Sequence, residues 1–191
     1  MHIMLLPSWY PKNPNDVNGV FFRDQAHALL KHGHKVGVIS PQMKSLYSIS
    51  GKNRKGRFSK FEIDDGVPTY RKQVLAALPR VPYGNYLLFT RVARKLMSDY
   101  VREQGKPDII HAHSAIFGGA AAACLAKEWS IPFVLTEHSS GFYRNVFKKW
   151  QLDLVSNVAI AAECCISVSP SLGDLLTDKL STKNIVWKWI P

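Results

Sequence analysis

Short apolar runs alternate along the chain with longer stretches whose apolar residues recur at helical spacing. His2 to Leu6, Lys35 to Ser40, Asp108-Ile109-Ile110, Ile131 to Leu135, Cys164 to Ser169 and Asn184 to Ile190 read as strands. Between them, Val20 to His32, Tyr86 to Glu103, Ala115 to Trp129, Leu152 to Glu163 and a segment from Ser169-Pro170 to about Leu180 read as helices. The second is the clearest, with Leu88, Val92, Leu96 and Tyr100 on one stripe. Gly33 suits a C-terminal cap, and Pro170 suits a first helical turn.

Two interruptions stand out. Pro7 to Gly19 holds three prolines, three asparagines and a glycine, which predicts a long loop directly after the first strand. Loops of that length in a compact domain are usually functional. Pro41 to Lys60 is polar and includes the basic run Lys52-Asn53-Arg54-Lys55-Gly56-Arg57, read first as a solvated insertion and second as an anion-attracting loop. Phe61-Glu62-Ile63 and Val67-Pro68-Thr69-Tyr70, joined by Asp64-Asp65-Gly66, then form a hairpin. Strands alternating with helices predict an α/β, Rossmann-like, doubly wound and mostly parallel sheet. Helices cover both faces, and a small β-hairpin insertion follows the second strand.

At 191 residues the chain suits one domain. A net charge of +11 favours anionic partners: phosphorylated ligands, an anionic membrane face or nucleic acid. The basic residues are scattered except at 52–57 and no recognition motif accompanies them, so nucleic acid is disfavoured. Cys124, Cys164 and Cys165 include no Cys-x-x-Cys pair and are odd in number, which argues against a disulfide framework and a zinc cage and fits a reducing, cytoplasmic setting. Pro7 interrupts the first apolar run, so a signal peptide is not expected there. No apolar stretch is long enough to span a bilayer.

Chemistry-bearing residues collect where parallel strands would end. Asn18-Gly19 precedes the first helix, His111 and His113 follow Pro107-Asp108-Ile109-Ile110, and Glu137-His138 follows the next strand. In open α/β sheets ligands bind beyond the carboxyl ends of the strands. A glycine before a helix lets a phosphate approach backbone N–H groups. Neither Gly-x-Gly-x-x-Gly nor a P-loop is present, which disfavours dinucleotide binding and nucleotide hydrolysis. His111 and His113 are expected on opposite faces of their strand, so a shared metal ion is disfavoured. Hydrogen bonding to a polyhydroxylated or phosphorylated ligand is the more economical role. Arg144, Lys148 and Lys149 could hold an anion or simply be solvated. Ser139-Ser140 lacks nucleophile-elbow spacing. Trp187 and Trp189 are expected to pack rather than bind sugar.

Taken in order, these segments resemble the N-terminal half of a GT-B-fold glycosyltransferase of the large family 4. Leu29-Leu30 and Gly33-His34-Lys35-Val36 resemble its Leu-x-x-x-Gly-His-x-Val element, and Pro107 to His113 its Pro-Asp-x-x-His-x-His segment. Thr136-Glu137-His138 is similar to its Thr-x-His strand end. Val168-Ser169-Pro170-Ser171-Leu172 resembles its Val-Ser-x-x-Leu helix start, and Ile190-Pro191 the opening of its interdomain linker.

The resemblance implies an acceptor-side domain over residues 1–191, with a donor-binding C-terminal domain expected elsewhere and this portion inactive alone. It implies transfer of a hexose from a sugar nucleotide, such as a UDP- or GDP-sugar, to a polysaccharide or glycolipid, with retention and no metal or other cofactor. The leaving diphosphate assists deprotonation of the acceptor in a front-face displacement. Gly19 and Asn18 would approach the donor diphosphate, and His138 the transferred sugar near the reacting centre. His111, His113, Glu137 and Arg144 would shape the acceptor side. The basic balance suits peripheral contact with the anionic inner face of a membrane. A noncatalytic module that binds carbohydrate or phosphate is the alternative.

Overall fold

The computed structural model describes residues 1–13, 15–45, 59–78, 81, 83–180 and 185–190. The basic run Lys52 to Arg57 and the terminal Pro191 lie outside them. At the centre is β1 (His2–Pro7), paired in parallel with β2 (Lys35–Ser45) on one side and β5 (Ile109–His113) on the other. Beyond β2 come β4 (Val67–Ala76) and β3 (Ser59–Asp64); beyond β5 come β6 (Phe133–Glu137), β7 (Cys164–Ser167) and β8 (Trp187–Trp189). Only the β3–β4 pair is antiparallel. The order β3-β4-β2-β1-β5-β6-β7-β8 reverses direction between β1 and β5, and that is where a ligand crevice is expected.

Alternation along β1 places Ile3 and Leu5 with Phe22 and Ala26 of α1 (Val20–Lys31), under one face of the sheet. Met4 and Leu6 point the other way, into a larger core. That core is closed by α2 (Gly84–Gln104), α3 (Ala120–Trp129), α4 (Lys149–Ala161) and α5 (Pro170–Lys179). A strand buried on both faces has to be apolar throughout, which is why His2 to Leu6 shows no polar alternation. Ser169 caps α5 by accepting the Leu172 N–H, with Pro170 in the first turn.

The hairpin is part of the main sheet rather than an insertion beside it. Its turn, Asp65-Gly66, has φ of 47° and 89°, the left-handed pair a two-residue hairpin requires. The strand after it runs on to Ala76 and pairs with β2. The polar string Arg71-Lys72-Gln73 conceals this strand in the sequence. Arg71 is 2% exposed, ion-paired with Glu62 and donating to the Pro11 carbonyl at 3.0 Å. β2 likewise continues through Pro41. Its pairing with β1 reaches only Val38, so its further length has β4 alone as partner and one edge free for proline.

Elsewhere the expected elements form with shifted ends. β5 includes both histidines, and β6 extends through Glu137. The segment after Ser114 opens as a π-helical turn, Ala115–Gly119, before α3. Trp187 is buried, but Trp189 is exposed and does not pack. Among the described residues no helix is long and apolar enough to cross a membrane.

A candidate ligand site at the switch point

The carboxyl ends of β1, β5 and β6 are tied by a small polar frame. Ser8, the first residue after β1, accepts the Gly118 N–H at 2.8 Å and aims its one hydroxyl proton at the carbonyls of His113 and Ser114, each 3.0 Å from its oxygen. The Ser8 N–H itself reaches the His113 carbonyl at 3.1 Å. Ser114 has φ 63° and ψ 125°, a costly backbone for a residue with a side chain. It is held there by its N–H on the Thr136 carbonyl and by the Gly119 N–H on its own carbonyl. Such strain persists only where surrounding bonds over-determine it, and it turns the chain sharply off β5 into the π-helical turn.

Glu137 completes the frame. Its side chain is 1% exposed and accepts backbone N–H groups from Ala115 at 2.7 Å and from His138 and Ser139 at 2.8 Å each. Burial pushes its carboxyl above the usual range, while these three donors pull it back. Although Glu137 contributes to the cavity wall, its carboxylate is engaged by the chain's own backbone. Glu137→Gln replaces one acceptor oxygen by a donor facing a donor. We expect it to lower stability by roughly 2–3 kcal/mol, read as a lower urea midpoint at pH 7.

His111 and His113 stand on the same face of β5, correcting the expectation of opposite faces: side chains alternate with period two, so residues two apart share a face. Their rings lie 4.2 Å apart. His111 bonds the Thr136 hydroxyl at 2.8 Å, and His113 Nδ1 lies 3.1 Å from His138 Nε2. Phe22 of α1 stacks at 4.8 Å from His113, and Phe21 and Phe22 flank His138 at 5.1 Å each. Desolvation lowers His111 and His138 to about 4 and His113 well below its ordinary value, so all three rings are neutral at pH 7.

Neutrality leaves a tautomer to assign. His113 Nε2 is sealed from solvent with no partner among the described residues. A proton there would be an orphaned buried donor, so it belongs on Nδ1, donated to His138 Nε2. His138 then carries its own proton on Nδ1. His138 is half-buried, whereas His111 and His113 lie beneath it in the protein. His113 thus orients the His138 ring.

Gly19 is the N-cap of α1, with φ 81°, and a Cβ there would come within 2.9 Å of the Trp9 ring. The chain thus brings Trp9 and the start of α1 together at the place where Gly19 sits. Asn18 is exposed, its N–H and side-chain amide both bonded to Asp16. Arg144 is exposed in the turn after β6 and does not line the cavity. A cavity of about 400 Å³ opens beside this frame, walled by Trp9, Met43, Ile116, Phe117, Phe142 and Phe147. Sequence reasoning missed Ser8, Trp9 and the Phe21-Phe22 pair. Ser8 carries no motif, and the phenylalanines read as ordinary helix core.

Among the described residues, His27, Asp64 and Asp65 could in principle hold a cation. Arg23 already occupies both carboxylates, at 2.7 Å from Asp64 and 2.6 Å from Asp65.

A mostly parallel sheet with helices on both faces defines a Rossmann-like domain, with a candidate ligand site where the strand order reverses. The family model of Glycosyltransferase Family 4 matches residues 19–188, and the chain belongs to that family. The Bacillus subtilis (strain 168) glycosyltransferase TuaC, named for teichuronic acid biosynthesis, is 31% identical over 146 residues. The match covers 73% of this chain and 36% of that protein, so the chain spans about a third of the relative's length. The solved UDP-GlcNAc 2-epimerase of Methanocaldococcus jannaschii superposes with a TM-score of 0.53 at 12% identity, over 98% of this chain and 45% of the epimerase. At that identity, what is shared is the fold.

Proposed function

We propose that this chain is the acceptor-side domain of a retaining hexosyltransferase that moves a sugar from a UDP- or GDP-sugar to a polysaccharide or glycolipid. The observation that carries the reading is the half-buried His138, oriented by His113, in a strand-end turn whose neighbours Glu137 and Ser139 line a cavity at the switch point of a family 4 domain. In this reading Gly19 and Asn18 meet the donor diphosphate as the α1 N-terminus faces a second, donor-binding domain. The His138 Nδ1–H donates to a hydroxyl of the transferred sugar. His113 holds that ring in its donor tautomer, with His111 packed behind it. Glu137 shapes the acceptor wall through the backbone it ties, and Arg144 attracts an anionic acceptor from the rim.

The leaving diphosphate takes the acceptor proton, so the reaction calls for neither a protein nucleophile nor a metal. The protein works in the cytoplasm, at the inner face of the membrane, and binds no nucleic acid. The test is sugar transfer by the full-length protein that carries this chain, given UDP- and GDP-sugars and a crude lipid extract. The expected result is incorporation from one donor class with the anomeric configuration kept. Inversion would overturn retention, and silence across the panel from folded protein would overturn the enzymatic reading.

A further inference from the structure

A strip of exposed apolar side chains runs along the start of α2 and across to α4. Leu78, Val81, Tyr83 and Leu87 are between 39% and 55% exposed. Leu78 and Val81 pack over Gly84, where an added Cβ would come within 2.6 and 3.1 Å of theirs. The Tyr83 ring lies 4.7 Å from that of Trp150, and Leu87 follows Tyr83 by one turn of α2. Charge along the strip is of one sign. No acidic residue occurs between Asp65 and Asp99 or between Glu137 and Asp153, and those two segments supply the whole strip. Arg91, one turn beyond Leu87, and Lys148 have no ion-pair partner among the described residues. Lys149, its side chain 90% exposed, lies 3.5 Å from Asp153, so one carboxylate offsets one of these three cations.

A contiguous exposed apolar patch marks an interaction surface. Tyrosine and tryptophan, with apolar bodies and polar tips, suit the boundary between water and hydrocarbon. Lysine and arginine stems lie along apolar surface while their charges stay in water. Protein–protein interfaces are instead depleted of lysine. We infer that this face docks on an anionic lipid bilayer. Val81 and Leu87 enter the headgroup layer, and Arg91, Lys148 and Lys149 meet the lipid phosphates. The apolar cavity adjoins the docked bilayer: Asn85, which accepts the Leu78 N–H at 3.1 Å, and Gln151, the neighbour of Trp150, both line it. This inference rests on the membrane setting of the proposed function and names the surface that makes the contact.

The test is flotation of the full-length protein with vesicles of phosphatidylcholine alone and of equimolar phosphatidylcholine and phosphatidylglycerol. Binding is expected to the anionic vesicles only. Raising salt from about 0.1 to about 1 M should weaken it, since the screening length falls from about 10 to about 3 Å. Lys148→Glu should reduce partitioning at least about fivefold, the scale of one basic residue at a charged surface. Leu87→Glu, at an exposed position, should reduce it about tenfold or more. Ile160→Glu, 67% exposed at the far end of α4, should leave it nearly unchanged. Equal binding to neutral vesicles, or none to anionic vesicles at low salt, would overturn the inference. Partitioning that survives in folded Leu87→Glu would do so as well. A face covered by the donor domain or by a protein partner would give one of these last two results. The binding readout needs no sugar transfer. Binding without transfer would leave this surface standing and sink the enzymatic reading, while transfer without vesicle binding would do the reverse.

Discussion

Gly118→Ala is expected to be the most disruptive single-methyl change near the site. An added Cβ would come within 2.5 Å of the Leu6 carbonyl oxygen, 2.6 Å of the His113 carbonyl oxygen and 3.0 Å of the Ser8 nitrogen. All three neighbours are backbone, so no rotamer change relieves the contact. They belong to the ends of β1 and β5 or the residue just beyond, and these can separate only by breaking the parallel pairing Leu6↔Ala112 and Pro7↔His113. The Ser8 hydroxyl would also lose the Gly118 N–H. Overpacking of this kind costs about 3 kcal/mol or more, a large part of a typical domain's stability. Urea unfolding of the variant should show a lowered midpoint; an unchanged midpoint would contradict the described packing. Gly33→Ala is the useful contrast, since nothing lies within 4 Å of the Cβ there and its φ of 81° alone is at issue.

Acid should destabilise the domain through its histidines. His111 and His138 titrate at about 4 in the folded protein, and His113 well below its ordinary value, because burial disfavours the imidazolium. In the unfolded chain each returns to about 6.5. Between those values the unfolded state binds protons that the folded state refuses, so stability falls as pH falls from about 6.5 towards 4. Together His111 and His138 should withdraw on the order of 3–6 kcal/mol over that window, with His138 discounted for its partial exposure. Glu137 acts in the opposite sense. Its raised carboxyl takes up a proton more readily in the folded state, which lessens the slope. Urea midpoints measured from pH 7.5 to 4.5 should therefore decline steeply, and His111→Gln should flatten the decline. A flat profile in the unmodified domain would mean that the histidines are not buried as described.

Much of the architecture was legible because the strands at the sheet centre are buried on both faces and leave continuous apolar runs in the sequence. What stayed hidden was polar residues that the fold satisfies internally. Arg71 made β4 look finished at Tyr70, because a sequence does not show its partners, Glu62 across the hairpin and the Pro11 carbonyl. Pro41 made β2 look finished, because a sequence does not show that one edge of the strand is free. The π-helical turn after Ser114 is set by Glu137 and Ser8, neither of which is a neighbour in the chain.

The candidate site divides along similar lines. Strand-end histidines could be found from the rule that ligands meet parallel sheets at their carboxyl ends. Their shared face follows from strand geometry alone. Which of them stands nearest solvent does not, since that depends on Phe21 and Phe22 arriving from α1. Glu137 shows the same limit: a carboxylate beside a histidine suggests ligand binding, and only the three backbone N–H groups around it reveal a brace.

The central claim is that the His113–His138 pair stands at the point of sugar transfer, and His138→Ala in the full-length protein tests it most directly. Once a donor is identified, the variant should fall by about a hundredfold or more in kcat, the scale expected when a positioned donor at the reacting centre is removed. The variant should stay folded at pH 7, with a urea midpoint lowered by the roughly 1–3 kcal/mol that the buried His113 Nδ1–H costs without its acceptor. A folded variant that transfers sugar at the original rate would contradict the claim and move the reacting centre away from β5 and β6.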